Sequence, residues 1–264
     1  MTTNDTRRRT LRTTTALLLA LLVCLLAGCS TAGSNSASGS GSGSQGGSDS
    51  TPAEKEPEVA TYVALGDSYT SAPLVPVTDV ANGCFRSSGN YPTLAAKALG
   101  SQLADRSCGG ADTTDFATSQ GPGIPAQKTA LQPDTELVTI GFGGNDGAVF
   151  GTLINRCPAL RSQDPTGAPC QAAMSSAGKD EMLTRLAQTE RRLTRVAEQV
   201  HRLSPKAKVL LVGYPQIVDA DHVCRKLPLA KGDYAYAERV NRALTEAVEG
   251  AAKASGSTYV DVWS

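Results

Sequence analysis

A serine at the end of a β-strand can present both its hydroxyl and its backbone amide to a substrate carbonyl. In this chain of 264 residues, Gly66-Asp67-Ser68-Tyr69-Thr70-Ser71 puts one there, directly after the apolar, β-branched run at 58–65. Ser68 would attack the carbonyl, and its amide would donate to the developing oxyanion. The same hexapeptide also reads as a plain turn or helix cap, so two further segments decide between the readings. Ser107-Cys108-Gly109-Gly110-Ala111-Asp112 follows a second run with weak strand patterning. Its double glycine lets backbone amides approach a substrate oxygen closely. Gly141-Phe142-Gly143-Gly144-Asn145-Asp146 follows the strongest strand signal in the chain, and there an Asn side-chain amide can supply one more donor. Each segment brings one element of an acyl-transfer site: Ser68, Gly110 and Asn145.

A neutral serine hydroxyl is a poor nucleophile without a base in hydrogen-bond reach. The chain has two histidines. His201 sits late in a helix expected on the outer side of the sheet and reads as a surface or helix-terminal residue. His222, in Asp219-Ala220-Asp221-His222-Val223-Cys224, lies just after the fourth strand, nearer to where a site would form. Neither is expected to be the base, and Asp261 on the last strand is read as structural rather than as a triad acid.

The elements that must position these groups alternate along the chain. Strands are expected at 58–65, 102–108, 135–142, 207–213 and 258–263, and a helix at 92–99. Residues 179–203 carry Leu183, Leu186, Leu193, Val196, Val200 and Leu203 at three-and-four spacing, and 234–254 repeat the pattern with Ala237, Val240, Leu244, Val248 and Ala251. Each gives a helix with one apolar face. Strand–helix–strand order with nearly all-apolar strands implies an α/β fold, a three-layer α/β/α flavodoxin-like sandwich around a five-stranded parallel sheet. Ligands of such sheets bind beyond the carboxyl ends of the strands, where all three segments fall.

The ordered set resembles the SGNH (GDSL-like) hydrolases, and most closely their secreted, disulfide-containing bacterial lipase and esterase branch. GDSYTS resembles the first block of that family, Cys108-Gly109-Gly110-Ala111 the second and Gly143-Gly144-Asn145-Asp146 the third. Cys84-Phe85-Arg86-Ser87-Ser88-Gly89-Asn90-Tyr91-Pro92 matches a further stretch common in the branch. The likeness covers about residues 60–264. It implies Ser68 as nucleophile, and the Ser68 amide, the Gly110 amide and the Asn145 side chain as oxyanion hole. It also implies the disulfides Cys84–Cys108 and Cys157–Cys170, the first pinning the loop behind the nucleophile to the second block. The implied activity is hydrolysis of small-molecule or lipid carboxylic esters through an acyl-enzyme. The family's Asp-x-x-His block should follow the last strand. The expectation is that the chain stops short of this block and of a cysteine partner for Cys224, which would leave it inactive as given.

The N-terminus reads as targeting sequence. Arg7, Arg8, Arg9 and Arg12 precede an uncharged apolar run at 16–27 that closes on Leu26-Ala27-Gly28-Cys29. This resembles a lipoprotein signal at 1–28 with Cys29 as the lipid-modified residue; an ordinary signal peptide with an incidental cysteine is the alternative. Residues 29–58, rich in Ser and Gly, read as a flexible tether, and 59–264 as the folded domain. The chain is therefore expected to be exported and held at a membrane by its lipid. Of 25 basic and 25 acidic residues, four Arg and one Asp fall within 1–28, leaving 21 and 24. That balance offers no basic surface for nucleic acid. No His or Cys cluster has ligand spacing, so neither metal nor organic cofactor is expected. Two other classes remain open on sequence grounds: a non-catalytic envelope binding protein on the same scaffold, and an acyltransferase that passes the acyl group to a cell-surface glycan.

Overall fold

The computed structural model describes residues 59–81 and 83–263. The expected signal at 1–28, Cys29 and the tether to residue 58 lie outside the described residues. Five strands, β1 (Thr61–Gly66), β2 (Gln102–Asp105), β3 (Leu137–Gly141), β4 (Lys208–Val212) and β5 (Thr258–Val260), form one parallel sheet in the order β2-β1-β3-β4-β5. This is the flavodoxin-like order, and the expected α/β fold is the one observed. The chain leaves β1 outward to β2 and returns to β3 on the other side. The carboxyl ends of β1 and β3 therefore flank the switch point at which such sheets open a crevice.

Side chains of β1 alternate between two layers. Val63 and Leu65 join Val138, Ile140, Val209 and Leu211 on the face covered by the long helices α3 (Glu181–Leu203) and α4 (Asp233–Ser255). Tyr62 and Ala64 face the other way, against Ala96 of helix α2 (Tyr91–Leu99). The amphipathic stripes explain this packing, with one shift of register. All five apolar positions expected on α4 are buried, whereas α3 buries Met182 and Thr189 along with Leu186, Leu193, Val196 and Val200, and leaves Leu203 exposed. Caps fix the helix ends. Asn90 Oδ1 accepts from the Thr93 amide at 3.0 Å, the Asp180 carboxylate accepts from the amides of Met182 and Leu183, and Gly100 and Gly256 close α2 and α4 with φ of 66° and 70°.

Strand β2 stops at Asp105 instead of running to Cys108. Its carboxylate accepts from the Ser107 amide at 2.9 Å and the Ser107 hydroxyl at 2.6 Å, a local turn on the open side of this edge strand, while the Arg106 and Cys108 amides still donate to the Ala64 and Gly66 carbonyls of β1. In the same way Asp261 accepts from the Trp263 amide at 3.0 Å and ends β5 early. Between β3 and α3 the chain forms a series of short helical turns over 146–163 and a two-residue hairpin, Ser175–Ser176 with Lys179–Asp180. Among the described residues no helix is long and apolar enough to cross a membrane.

Candidate active site

β1 runs straight into a single helical turn, α1 (Ser68–Ser71), capped by Asp67, whose carboxylate accepts from the Tyr69 amide at 2.8 Å. Ser68 is half-buried, and among the described residues its hydroxyl has no hydrogen-bond partner. As the first residue of the turn, its amide has no carbonyl one turn earlier to bond. The close approach of β1 and β3 at this point depends on glycine. Gly66 lies opposite Gly141 in the register, and the Thr70 hydroxyl sits over both. A Cβ on Gly66 would fall 2.2 Å from Thr70 Oγ1 and one on Gly141 2.3 Å from the same atom.

Three sets of contacts draw the segments after β1, β2 and β3 together. The Cys108 amide donates to the Gly66 carbonyl at 3.0 Å, and Cys84 and Cys108 are joined in a disulfide. Beside it the Gly109 amide donates to the Cys84 carbonyl at 2.8 Å, while Gly110 adopts a φ of 78° and its own amide makes no hydrogen bond among the described residues. Asn145 Nδ2 donates one hydrogen to the Ala111 carbonyl at 2.8 Å, which ties the third segment to the second and leaves the second N–H of that amide available. Finally, the Tyr214 hydroxyl donates to Asp67 Oδ2 at 2.5 Å and accepts from the Gly144 amide at 2.9 Å, joining the third segment to the first. Ser68, Gly110 and Asn145 are thus held at one end of the sheet by bonds that run through all three turns.

The electrostatics of this end are those of a dry, carboxylate-bearing site. Burial pushes Asp67 up from 3.8 to about 6, against the opposing bonds from Tyr214 and Tyr69. Burial, reinforced by the Asp67 charge, also drives the Tyr214 phenol far above its ordinary value, so it stays neutral and keeps the proton it donates to Asp67. Asp146 is raised by burial too, although Thr113 gives it two hydrogen bonds and Arg192 lies at 3.5 Å. Arg192 is partly solvated, so its attraction offsets only part of the desolvation.

Tyr214, Asp67 and Gln127 are the residues that sequence reading missed. Tyr214 stands two residues past β4 at the strand's carboxyl end, a position that could have marked it. Gln127 carried no signal: its side-chain amide exchanges two bonds with Gly66, accepting from its N–H at 2.8 Å and donating to its carbonyl at 2.9 Å, from 61 residues away. The histidines lie elsewhere. His201 Nε2 bonds Ser257 at 2.9 Å, just before β5 and so at the amino end of the sheet. His222 is exposed and pairs through Nδ1 with Asp219 at 2.9 Å, which raises its pKa. Cys157 and Cys170 form a second disulfide, and Cys224 is exposed and has no disulfide partner among the described residues. Among the described residues no group of His, Cys, Asp or Glu is placed to hold a metal ion.

A parallel sheet with a serine turn after its first strand, a Gly-Gly turn after its second and an Asn turn after its third defines an ester-hydrolase class of site. Residues 64–264 match the GDSL-like Lipase/Acylhydrolase family, and the chain belongs to it. Among its relatives, Lipase 2 of Streptomyces coelicolor is 40% identical over 80% of this chain and 72% of its own length. An extracellular lipase from Streptomyces rimosus superposes with a TM-score of 0.59 at 25% identity, covering 77% of this chain and 80% of that one. A phospholipase A1 from Streptomyces albidoflavus gives 0.56 at 26% identity, over 77% and 79%.

Proposed function

We propose that Ser68 is the nucleophile of a carboxylic ester hydrolase whose oxyanion hole is the Ser68 amide, the Gly110 amide and the Asn145 side chain. The observation that carries this reading is the linkage of the three turns at one end of the sheet, where among the described residues two amides, one side-chain N–H and the Ser68 hydroxyl have no hydrogen-bond partner. In the first step Ser68 Oγ bonds the carbonyl carbon while its proton passes to a base. The three donors hold the tetrahedral oxyanion, and the ester C–O bond breaks to release the alcohol with a proton. Water then attacks the acyl-enzyme and releases the acid. Substrates are esters of the kind the names of its relatives imply, acylglycerols and other acyl esters.

Neither His201 nor His222 is the general base in this reading, because each is bonded away from Ser68. A fluorophosphonate probe tests both parts. It should label Ser68 and nothing in Ser68→Ala, and added imidazole should speed the labelling by standing in for the base. A folded protein that stays unlabelled with and without imidazole removes Ser68 as nucleophile. Labelling lost in His222→Gln would assign the base to that residue instead.

The chain is further read as an exported lipoprotein with Cys29 as its modified residue. Support comes from the arginine-led apolar run ending in Leu26-Ala27-Gly28-Cys29, from two disulfides and from an extracellular relative. Radiolabelled palmitate should enter the chain in a bacterial host and be absent from Cys29→Ser.

A further inference from the structure

The loop that follows the nucleophile turn carries apolar side chains that the core does not use. Leu74 is 83% exposed, Val77 69% and Val80 67%, and Val75 and Phe85 are also open to solvent. Half of the large hydrophobic residues exposed among the described ones lie in this one stretch. It is not a loose loop. The amides of Ser88 and Gly89 donate to Val77 and Val75 carbonyls at 2.9 Å, Asp79 donates to Arg86, and Thr78 bridges Ser87, so the stretch is an antiparallel hairpin. Its base is fixed by the Ser87 amide on the Ser71 carbonyl and by the disulfide at Cys84. Leu74 and Phe85 are held at φ of 69° and 56°, a left-handed backbone that costs energy for such side chains and here sets them outward. A side chain so exposed has no wall around it, which suits insertion into something and not the holding of a small ligand.

The loops after β3 and β4 supply charge at the same end of the sheet. Arg161, Arg225 and Lys231 surround an open cavity of about 570 Å³ with Val223, Leu229 and Tyr234 at its apolar side. None of the three cations is in an ion pair among the described residues. The two loops are bonded to each other, Lys231 to the Pro165 carbonyl at 3.0 Å and Gly232 to the Gly167 carbonyl at 2.8 Å, so the cations stand on a fixed frame. The hairpin is joined by its disulfide to the turn after β2 and the cations stand on the loops after β3 and β4, so in the order β2-β1-β3-β4 they fall toward opposite sides of β1, whose end carries Ser68.

We propose that this end of the sheet docks on an anionic lipid surface, with Leu74, Val77 and Val80 entering the apolar layer and Arg161, Arg225 and Lys231 meeting lipid phosphates. The inference rests on the ester-hydrolase reading, because it says in what physical form the site meets its substrate. Apolar insertion and cation pairing add on such surfaces. The contact would bring Ser68 to esters packed in the layer.

The test uses the full chain carrying Ser68→Ala, so that no lipid is consumed, and Cys24→Ser, Cys29→Ser and Cys224→Ser, so that a new cysteine is labelled alone and no lipid on Cys29 binds the vesicles. An environment-sensitive fluorophore is attached at Val77→Cys, or at Lys206→Cys on the amino side of β4, with the unsubstituted parent as background. Vesicles of equal parts phosphatidylglycerol and phosphatidylcholine should shift the Val77 probe to the blue and leave the Lys206 probe unchanged. Arg225→Gln with Lys231→Gln should weaken the apparent vesicle affinity by about tenfold or more. A Val77 probe that stays unmoved while the protein sediments with the vesicles overturns the proposal, since residues outside the hairpin then do the binding. An equal response to phosphatidylcholine alone overturns the role of the cations. A response to protein concentration without vesicles gives the hairpin to a second copy of the chain, and one to dispersed nitrophenyl octanoate gives it to a single acyl chain; either overturns the lipid surface. Every readout is binding to a variant without the nucleophile, so failure of Ser68 labelling would leave this result standing, and the reverse.

Discussion

The phenol of Tyr214 bonds the carboxylate of Asp67 at 2.5 Å across 147 positions of sequence, and the same oxygen receives the Gly144 amide at 2.9 Å. One buried hydroxyl therefore sets the distance between the nucleophile turn and the turn that carries Asn145. Its ring is held in turn by Tyr69 and Phe150, with centroids at 5.5 Å and 5.1 Å.

Tyr214→Phe keeps the ring and removes that link. It leaves a buried carboxylate and a buried amide each short of a partner, at a cost of about 1–3 kcal/mol. The melting temperature should fall accordingly. Beyond that, the rate of fluorophosphonate labelling at Ser68 should fall at temperatures where the variant is fully folded, because the Asn145 amide is no longer fixed against Ser68. Unchanged labelling in a destabilised variant would show that Tyr214 serves the fold alone.

Asp67 makes stability depend on pH in a direction opposite to most carboxylates. Its folded value of about 6 lies above 3.8, so the folded state holds a proton that the unfolded chain has released. The stabilisation is fully present below pH 3.8 and is lost as pH rises through about 6. The difference amounts to on the order of 3 kcal/mol, given about 1.4 kcal/mol per unit. Asp67→Asn has no such proton to lose. Denaturant titrations from pH 4 to pH 7 should show the wild-type chain losing stability relative to Asp67→Asn across that window and not above it. Parallel curves would mean that Asp67 is charged in the fold throughout.

The Cys84–Cys108 disulfide closes a loop with a sequence separation of 24. A cross-link of that span stabilises by about 3 kcal/mol through the unfolded chain. Replacing both cysteines with serine should lower stability by that order. It should also slow Ser68 labelling, because the Cys84 carbonyl is the acceptor that orients Gly109 next to Gly110. The double variant at Cys157 and Cys170 closes a shorter loop, away from the linked turns, and should cost stability with little effect on labelling.

Much of this arrangement was legible before the structure. The strands, the two long helices and the order of the three turns follow from apolar periodicity and from glycine placement, which are local properties. Strand ends were over-read at Cys108 and Trp263, where an aspartate side chain folds the backbone into a local turn and periodicity carries no trace of it. Gln127 was illegible, and Tyr214 was marked by nothing but its place past β4, for a different reason. Each acts through two long-range hydrogen bonds set by tertiary packing, and a single polar residue in a loop looks the same whether it bonds water or a buried glycine. The hairpin after the nucleophile turn had no sequence reading beyond the family stretch that begins at Cys84, since an apolar loop residue gives no sign of whether it is buried or bare.

Gly66 offers the sharpest test of how the crevice is built. Its φ of 157° and its place against β3 leave no room for a methyl group, which would meet Thr70 Oγ1 at 2.2 Å and the Gly141 carbonyl oxygen at 2.8 Å. The first clash is with a side chain and the second with backbone, so the two can be separated. Gly66→Ala alone should destabilise by about 1–3 kcal/mol or more, as overpacking of a tight site does. Adding Thr70→Ala removes the clash with Oγ1 and should restore part of that loss, while the contacts with the Cβ at position 70 and with the Gly141 carbonyl, each at 2.8 Å, remain. A positive coupling in the double-mutant cycle is the expected sign, since the two positions touch. Full restoration would mean that β1 and β3 can part at their carboxyl ends without cost, and that the spacing of Ser68 and Asn145 is not set there. No coupling at all would place the strain in the backbone of Gly66 itself.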